Sequence, residues 1–298
     1  MKTITVGALN VVMPVPHNAQ RYVDLFQKAF KLKNPVKLRG DFAGMLGSCH
    51  IQEVDGKNIV TGDFYKFFDL NLSGQWFNTL EQKQAEEDEL AQINIPEFLK
   101  PHFQVFQFVF FPKNHRLFWI AKDQQDGFSP GQAQKLLSSI FDEFKLVREF
   151  GEIEVTIEPS TESLQLILGM PRLKRLSIEV SPPNPDDLDE AERKLFEKMN
   201  NQNANRIVTV LVAKGSEGLA PDDETKMLAE IAKSNGHVSG HGENEEGQTI
   251  DVSTSEHPML EKTEYDPNTE SRSEALLTKS RDLLSIIVRK SRDLLNAH

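Results

Sequence analysis

The chain has 298 residues, of which 38% are hydrophobic and 27% charged, and its formal net charge is −11. That length suits one large domain or two ordinary ones, and the balance describes a soluble protein with some polar stretches. The single cysteine, Cys49, excludes a disulfide framework within the chain and a multi-cysteine zinc site, and it fits a reducing cytoplasm.

The opening "MKTITVGALNVVMPVPHN" has its apolar run interrupted by Asn10 and by prolines, so it reads as a first strand, Thr3 to Met13, rather than a signal peptide. Asn18 then caps the helix "AQRYVDLFQKAFKL", in which Tyr22, Leu25, Phe26, Ala29 and Phe30 recur at helical spacing. "MLGSCHIQEV" and "NIVTGDFYKFFDL" read as two strands joined at Asp55-Gly56-Lys57, because a tight hairpin turn of this kind needs positive φ at its central residues. "EQKQAEEDELAQ" is polar and expected to be exposed. "HFQVFQFVFF" and "RLFWIAK" form a second hairpin around Pro112-Lys113-Asn114-His115; the most apolar run, nine residues from Phe103, falls short of the roughly twenty that a membrane-spanning helix needs. A helix from Ser129 to about Phe144 follows, with Ser129 as cap, Pro130 in its first turn and Leu136, Leu137, Ile140 and Phe141 facing inward.

A second half begins near Gly151. "EIEVTIEP" alternates as a strand, "STESLQLIL" reads as a short capped helix, and "RLKRLSIEV" as a strand ended by "SPPNP". The acidic opening of "DDLDEAERKLFEKMNNQN" suits the positive N-terminus of a helix. "RIVTVLVAK" is a strand, "PDDETKMLAEIAKSNG" a helix ended by Gly236, and "HVSG" and "QTIDVST" short strands either side of an acidic loop. Residues 214–270 carry 14 Asp/Glu against 4 Lys/Arg. A terminal amphipathic helix runs from about Thr269 to Asn296 and repeats the word KSRDLL eleven residues apart, almost three helical turns. Leu283, Leu284, Ile287, Val288, Leu294 and Leu295 thereby share one face. The expected fold is α+β: two α/β lobes, 1–150 and 151–298, with mainly antiparallel sheets and this long helix at the end.

Motifs for common chemistry are missing. There is no GxSxG, no GxxxxGK[ST] and no GxGxxG opening a helix, so no cofactor is expected and the function leans away from an enzyme. Glu152, Glu154 and Glu158 alternate along a strand, with Lys174 and Arg175 further on, as carboxylates and a lysine do in metal-dependent nucleases; a solvent face looks the same. His237 and His241 lie on a strand-turn without a third matching ligand, and Cys49 and His50 point to opposite faces of a strand. Three basic groups are more suggestive: Arg21, Lys28, Lys31, Lys33, Lys37 and Arg39, with Asp24 the one acid among them; Arg172, Lys174 and Arg175 after Met170-Pro171; and Lys279, Arg281, Arg289, Lys290 and Arg292 on the terminal helix. Together they would suit a phosphate backbone, which rewards Lys and Arg whatever the base sequence.

Several words carry a resemblance. The opening "ALNVVMPVPHNAQRYVDLFQKAFKL", with "LRGDFAGMLGS" and the later "FVFFPKNHRLFW", is similar to an uncharacterised bacterial family numbered 4747 among the domains of unknown function. More distantly, Val155 to Pro159, the Gly-His-aliphatic-Ser word at Gly236 to Ser239 and the hairpin Val54 to Lys57 resemble the A protein of the phage Rex exclusion system, and the Kiwa defence protein KwaB is a further relative in resemblance. The resemblance implies an anti-phage defence setting: a non-enzymatic sensor that binds DNA or a phage nucleoprotein, forms homodimers and signals to a membrane-protein or other effector partner. The alternatives are a metal-dependent nuclease effector and an assembly protein that binds no nucleic acid.

Overall fold

Alternating apolar residues along strands that are buried on both sides build the main sheet of this protein. The computed structural model describes residues 1–70, 74–124, 126–160, 162–183 and 190–293, the last five of these by backbone alone. In chain order the first elements are β1 (Lys2–Val12), α1 (Ala19–Leu32), β2 (Val36–Lys37), β3 (Phe42–Val54) and β4 (Lys57–Phe68). The minor elements β5 (Phe77–Asn78), β6 (Lys83–Gln84) and α2 (Glu87–Leu90) lie in an exposed insert before β7 (Gln104–Phe111), β8 (Arg116–Asp123), β9 (Asp126–Gly127), α3 (Pro130–Phe141) and α4 (Phe144–Phe150). The second half supplies β10 (Glu154–Ile157), α5 (Ser163–Leu168), β11 (Arg172–Val180), α6 (Glu190–Asn201), β12 (Ile207–Val212), α7 (Asp223–Ser234), β13 (Gly236–Glu243), β14 (Thr249–Ser253), β15 (Leu260–Tyr265) and α8 (Arg272–Asp293). The architecture is α+β with antiparallel sheets.

The larger sheet has the order β10-β1-β8-β7-β4-β3-β2, with β15 also on β1 and β9 on β8. On one face Leu9, Val11, Phe64, Phe106, Phe108, Phe110, Leu117 and Trp119 meet the buried sides of α1, α3 and α4. On the other, Ile4, Val6, Ala8, Val109, Phe118 and Ile120 meet Ala275, Leu276 and Leu283 of α8. The terminal helix is thus a core helix along its first part, and Leu284 and Ile287 continue the same apolar face. Leu294, Leu295 and Asn296 lie outside the described residues. The second sheet, β12-β11-β13-β14, is covered on one face by α5, α6 and α7 through Leu164, Ile167, Leu195, Met199, Ala229 and Ala232.

Local chemistry places most boundaries. Asn18 Oδ1 accepts from Arg21 N at 3.0 Å, and Ser129 forms a reciprocal capping box with Gln132. The β3–β4 hairpin turns at Asp55 (φ 52°) and Gly56 (φ 71°), as its Asp-Gly demands. Three features differ from the sequence expectation. The helix expected from Ser129 to Phe144 ends at Phe141, and a further helix that was not anticipated, α4, starts at Phe144 after Glu143 (ψ 129°) leaves the helical conformation. The terminal helix begins at Arg272, where Ser271 and Glu274 form its cap. And the strand β15 was not anticipated: its sequence "LEKTEY" is polar and mostly exposed, so it lacks the alternation of a buried strand. The segment after residue 150 contributes to both sheets, since β10 and β15 both pair with the edge of β1 opposite β8 in the first.

Candidate nucleic-acid interface

The basic segment following α1 is shaped by three local rules. Helix α1 stops at Lys33, whose left-handed backbone (φ 50°) ends the hydrogen-bond ladder, and Pro35 prevents its resumption. Val36 and Leu38 then turn inward and are buried, so Lys37 and Arg39 face outward by strand alternation. Lys135 Nζ donates to Leu38 O at 2.8 Å, and Leu38 N donates to Phe42 O at 2.8 Å, fixing the loop from both sides. Asn34 is held by the Glu143 carboxylate. Lys31, Lys33, Lys37 and Arg39 are exposed and carry no ion pair among the described residues.

The other predicted cations are engaged within the protein. Lys28 pairs with Glu149, and Arg21 donates to the backbone O of Glu149 at 2.9 Å; both cations lie over the Phe150 ring, at 5.5 and 5.3 Å from its centroid. Glu243 takes both Arg172 (2.9 Å) and Lys174 (2.6 Å) across the β11–β13 pairing, and these two cations hold its carboxyl below the usual range, Lys174 first. Arg175 is exposed on the open face of the second sheet. Lys279 lies 3.8 Å from Glu261, and Arg281 is 2.7 Å from Asp55 at the tip of the β3–β4 hairpin. The side chains of Arg289, Lys290 and Arg292 lie outside the described residues. The three groups do not converge: α1 and α8 cover opposite faces of the same sheet, so a duplex lying along one does not reach the other. Glu243 and Glu261 of the acidic 214–270 segment thus meet Arg172, Lys174 and Lys279, a pairing that distance in sequence concealed.

The candidate metal and nucleophile residues are placed differently. Ser181 Oγ donates to Glu154 Oε1 at 2.8 Å, and burial raises the Glu154 carboxyl. Glu158 accepts from Ser234 Oγ at 2.8 Å and faces Arg116. Glu152 is exposed. His237 and His241 share a face of β13 but stand four strand residues apart, about 13 Å, too far for one ion; His241 Nδ1 instead meets Asp251 Oδ1 at 2.8 Å. Among the described residues no group of three or more His, Cys, Asp or Glu is placed to hold a metal. Cys49 is partly buried, and burial pushes its thiol up to about 11, which keeps it protonated.

Sequence reasoning missed a buried polar cluster joining the two sheets. Asn10, in mid-strand, donates through Nδ2 to Ser234 O (3.0 Å) and Asn235 Oδ1 (3.2 Å), and accepts from Arg116. Thr156 Oγ1 adds a bond to Ser234 O at 3.0 Å. The rings of His115, Tyr22 and His17 pack beside it at tilted and edge-on angles, with Tyr22 and His115 ring centroids 4.7 Å apart. Asn10 inside an otherwise apolar strand was the one signal in the sequence, because a buried amide needs partners. The cluster fastens the C-terminal end of α7 to β1 and β10.

Among the described residues no helix is long and apolar enough to cross a membrane. A search of curated proteins finds no match. The model of one protein family spans residues 2–281, nearly the whole chain, and the chain therefore belongs to the family described as Domain of unknown function (DUF4747).

Proposed function

We propose that this protein is a non-enzymatic sensor in anti-phage defence that binds nucleic acid, free or as a phage nucleoprotein, and signals to a partner effector, a membrane protein among the candidates. The observation that carries the ligand is the set Lys31, Lys33, Lys37 and Arg39: four exposed cations within nine residues, from the last turn of α1 to the end of β2 and beyond, braced at Leu38 by Lys135, with no carboxylate partner among the described residues. Arg21, Lys28, Arg172, Lys174, Lys279 and Arg281 are each held by a carboxylate or carbonyl of the chain, whereas the α1–β3 segment offers four neighbouring cations to which phosphate can serve as counter-charge. The defence setting rests on the resemblance to the Rex and Kiwa proteins. The nuclease alternative loses its ligand set, since Glu154 and Glu158 are already bonded to Ser181, Ser234 and Arg116.

The test is a phage challenge of cells carrying the gene with its neighbours. Replacement of Lys31, Lys33, Lys37 and Arg39 by Ser is expected to abolish protection at unchanged protein level. Full protection by that variant would sink the reading.

A further inference from the structure

The strand β12 forms one edge of the second sheet, and no strand among the described residues pairs with its outer side. Its sequence, "IVTVLV", contains no charge, proline or glycine. Natural proteins usually protect such an edge with lysine, proline or a bulge, because a free apolar edge templates further pairing. Here the pattern does the opposite. Ile207 and Leu211 pack inward, whereas Val208, Val210 and Val212 stand on the open face with 57, 43 and 69% of their surface exposed. Ala213 N donates to Lys174 O at 2.8 Å, so the odd-numbered residues of β12 aim their backbone groups at β11. By alternation Val208, Val210 and Val212 aim their N–H and C=O groups at the free edge.

We infer that β12 is a self-pairing edge, and that its occupant is β12 of a second copy of this chain, antiparallel, about a two-fold axis normal to the sheet at Val210. In that register Val210 faces Val210 and Val208 faces Val212 of the second copy, each pair exchanging two N–H···O bonds. The valines form one β-branched patch across the join, the side-chain combination that stabilises neighbouring strands. Within the valine rows no like charges meet. Arg175 lies beside Val212 and Glu179 beside Val208 on β11, so each Val–Val row runs from an Arg175 of one copy to a Glu179 of the other. Arg206, which approaches Lys214 of the second copy, is already paired with Glu179 at 2.9 Å. The two four-stranded sheets merge into one of eight strands. The inference stands whatever the basic segment binds.

Sedimentation analysis of the purified full chain at micromolar concentration tests it. The wild type is expected to be a dimer, and Val208→Lys with Val212→Lys to halve the mass while leaving circular dichroism unchanged, since both side chains are exposed in the single chain. Val210→Cys supplies a second readout that does not depend on weakening the contact: mild oxidation is expected to link two copies through this position, because directly opposed Cα atoms of a hydrogen-bonded pair stand about 5.5 Å apart. A monomeric wild type, or a dimer that survives the double lysine variant and gives no Val210→Cys link, overturns the inference. Neither result bears on duplex binding, which is measured separately.

Discussion

Arg116 Nε lies 3.0 Å from Glu158 Oε2, with only 13% and 3% of the two side chains exposed. The contact is an ion pair; Arg116 Nη1 also donates to Asn10 and Asn114, and Glu158 Oε1 accepts from Ser234. It joins the start of β8 in the first sheet to the segment that carries the second. Removing one member strands the other charge in a low-dielectric site. Glu158→Gln or Arg116→Met alone is therefore expected to cost about 3–5 kcal/mol in urea unfolding, and the double variant less than the sum of the two. Additive losses would show that the two residues act independently.

His115 gives the fold an acid-sensitive element. Burial, then Arg116 and His17, lower its pKa from 6.5 to about 3. The folded state thus holds the ring neutral over a range where the unfolded chain binds a proton, so this contribution to stability is full above pH 6.5 and is lost as pH falls towards 3. His115 has a left-handed backbone (φ 58°), which Asn tolerates well. His115→Asn is expected to flatten the fall in unfolding midpoint between pH 6 and 4, read by thermal melts at fixed ionic strength. A slope unchanged by the substitution would assign the acid sensitivity elsewhere.

Cys49 is expected to resist alkylation by iodoacetamide near neutral pH and to react at the rate of an ordinary thiol once urea unfolds the chain, since its pKa is raised to about 11 by burial. Rapid labelling of the native protein, followed by mass spectrometry, would contradict the burial of that thiol.

The sequence was most legible where structure is local. Asn18, Ser129 and Asp55-Gly56 each declare a cap or turn by their own side chain or backbone freedom, and the strands around them follow from alternation. Pairings between distant segments left no such mark. Nothing in "EVTI" or "LEKTEY" says that both lie beside β1. The same limit applies to the candidate interface. The cations were visible as residue types, but their availability depended on partners far along the chain: Glu149 for Lys28, Glu243 for Arg172 and Lys174, Asp55 for Arg281. The short-range cluster from Lys31 to Arg39 survived that sorting because Val36, Leu38 and the end of α1 set its orientation locally.

Substitutions in the second basic group supply a control. Because Glu243 already holds Arg172 and Lys174, changing both to Ala is expected to leave duplex affinity within about twofold, as contacts that do not touch phosphate do not alter counterion release. A loss as large as that of the Lys31–Arg39 variant, by competition titration, would move the interface to the second sheet.

The most direct measurement is fluorescence anisotropy of the purified chain titrated onto a short labelled duplex across a salt series, with and without magnesium. Four phosphate contacts predict an affinity falling with a log–log salt slope of about −3 to −4, independent of magnesium, and a variant with Lys31, Lys33, Lys37 and Arg39 replaced by Ser that does not bind. Absence of binding by the wild type at low salt, or undiminished binding by the variant, would contradict the proposal that this segment meets nucleic acid.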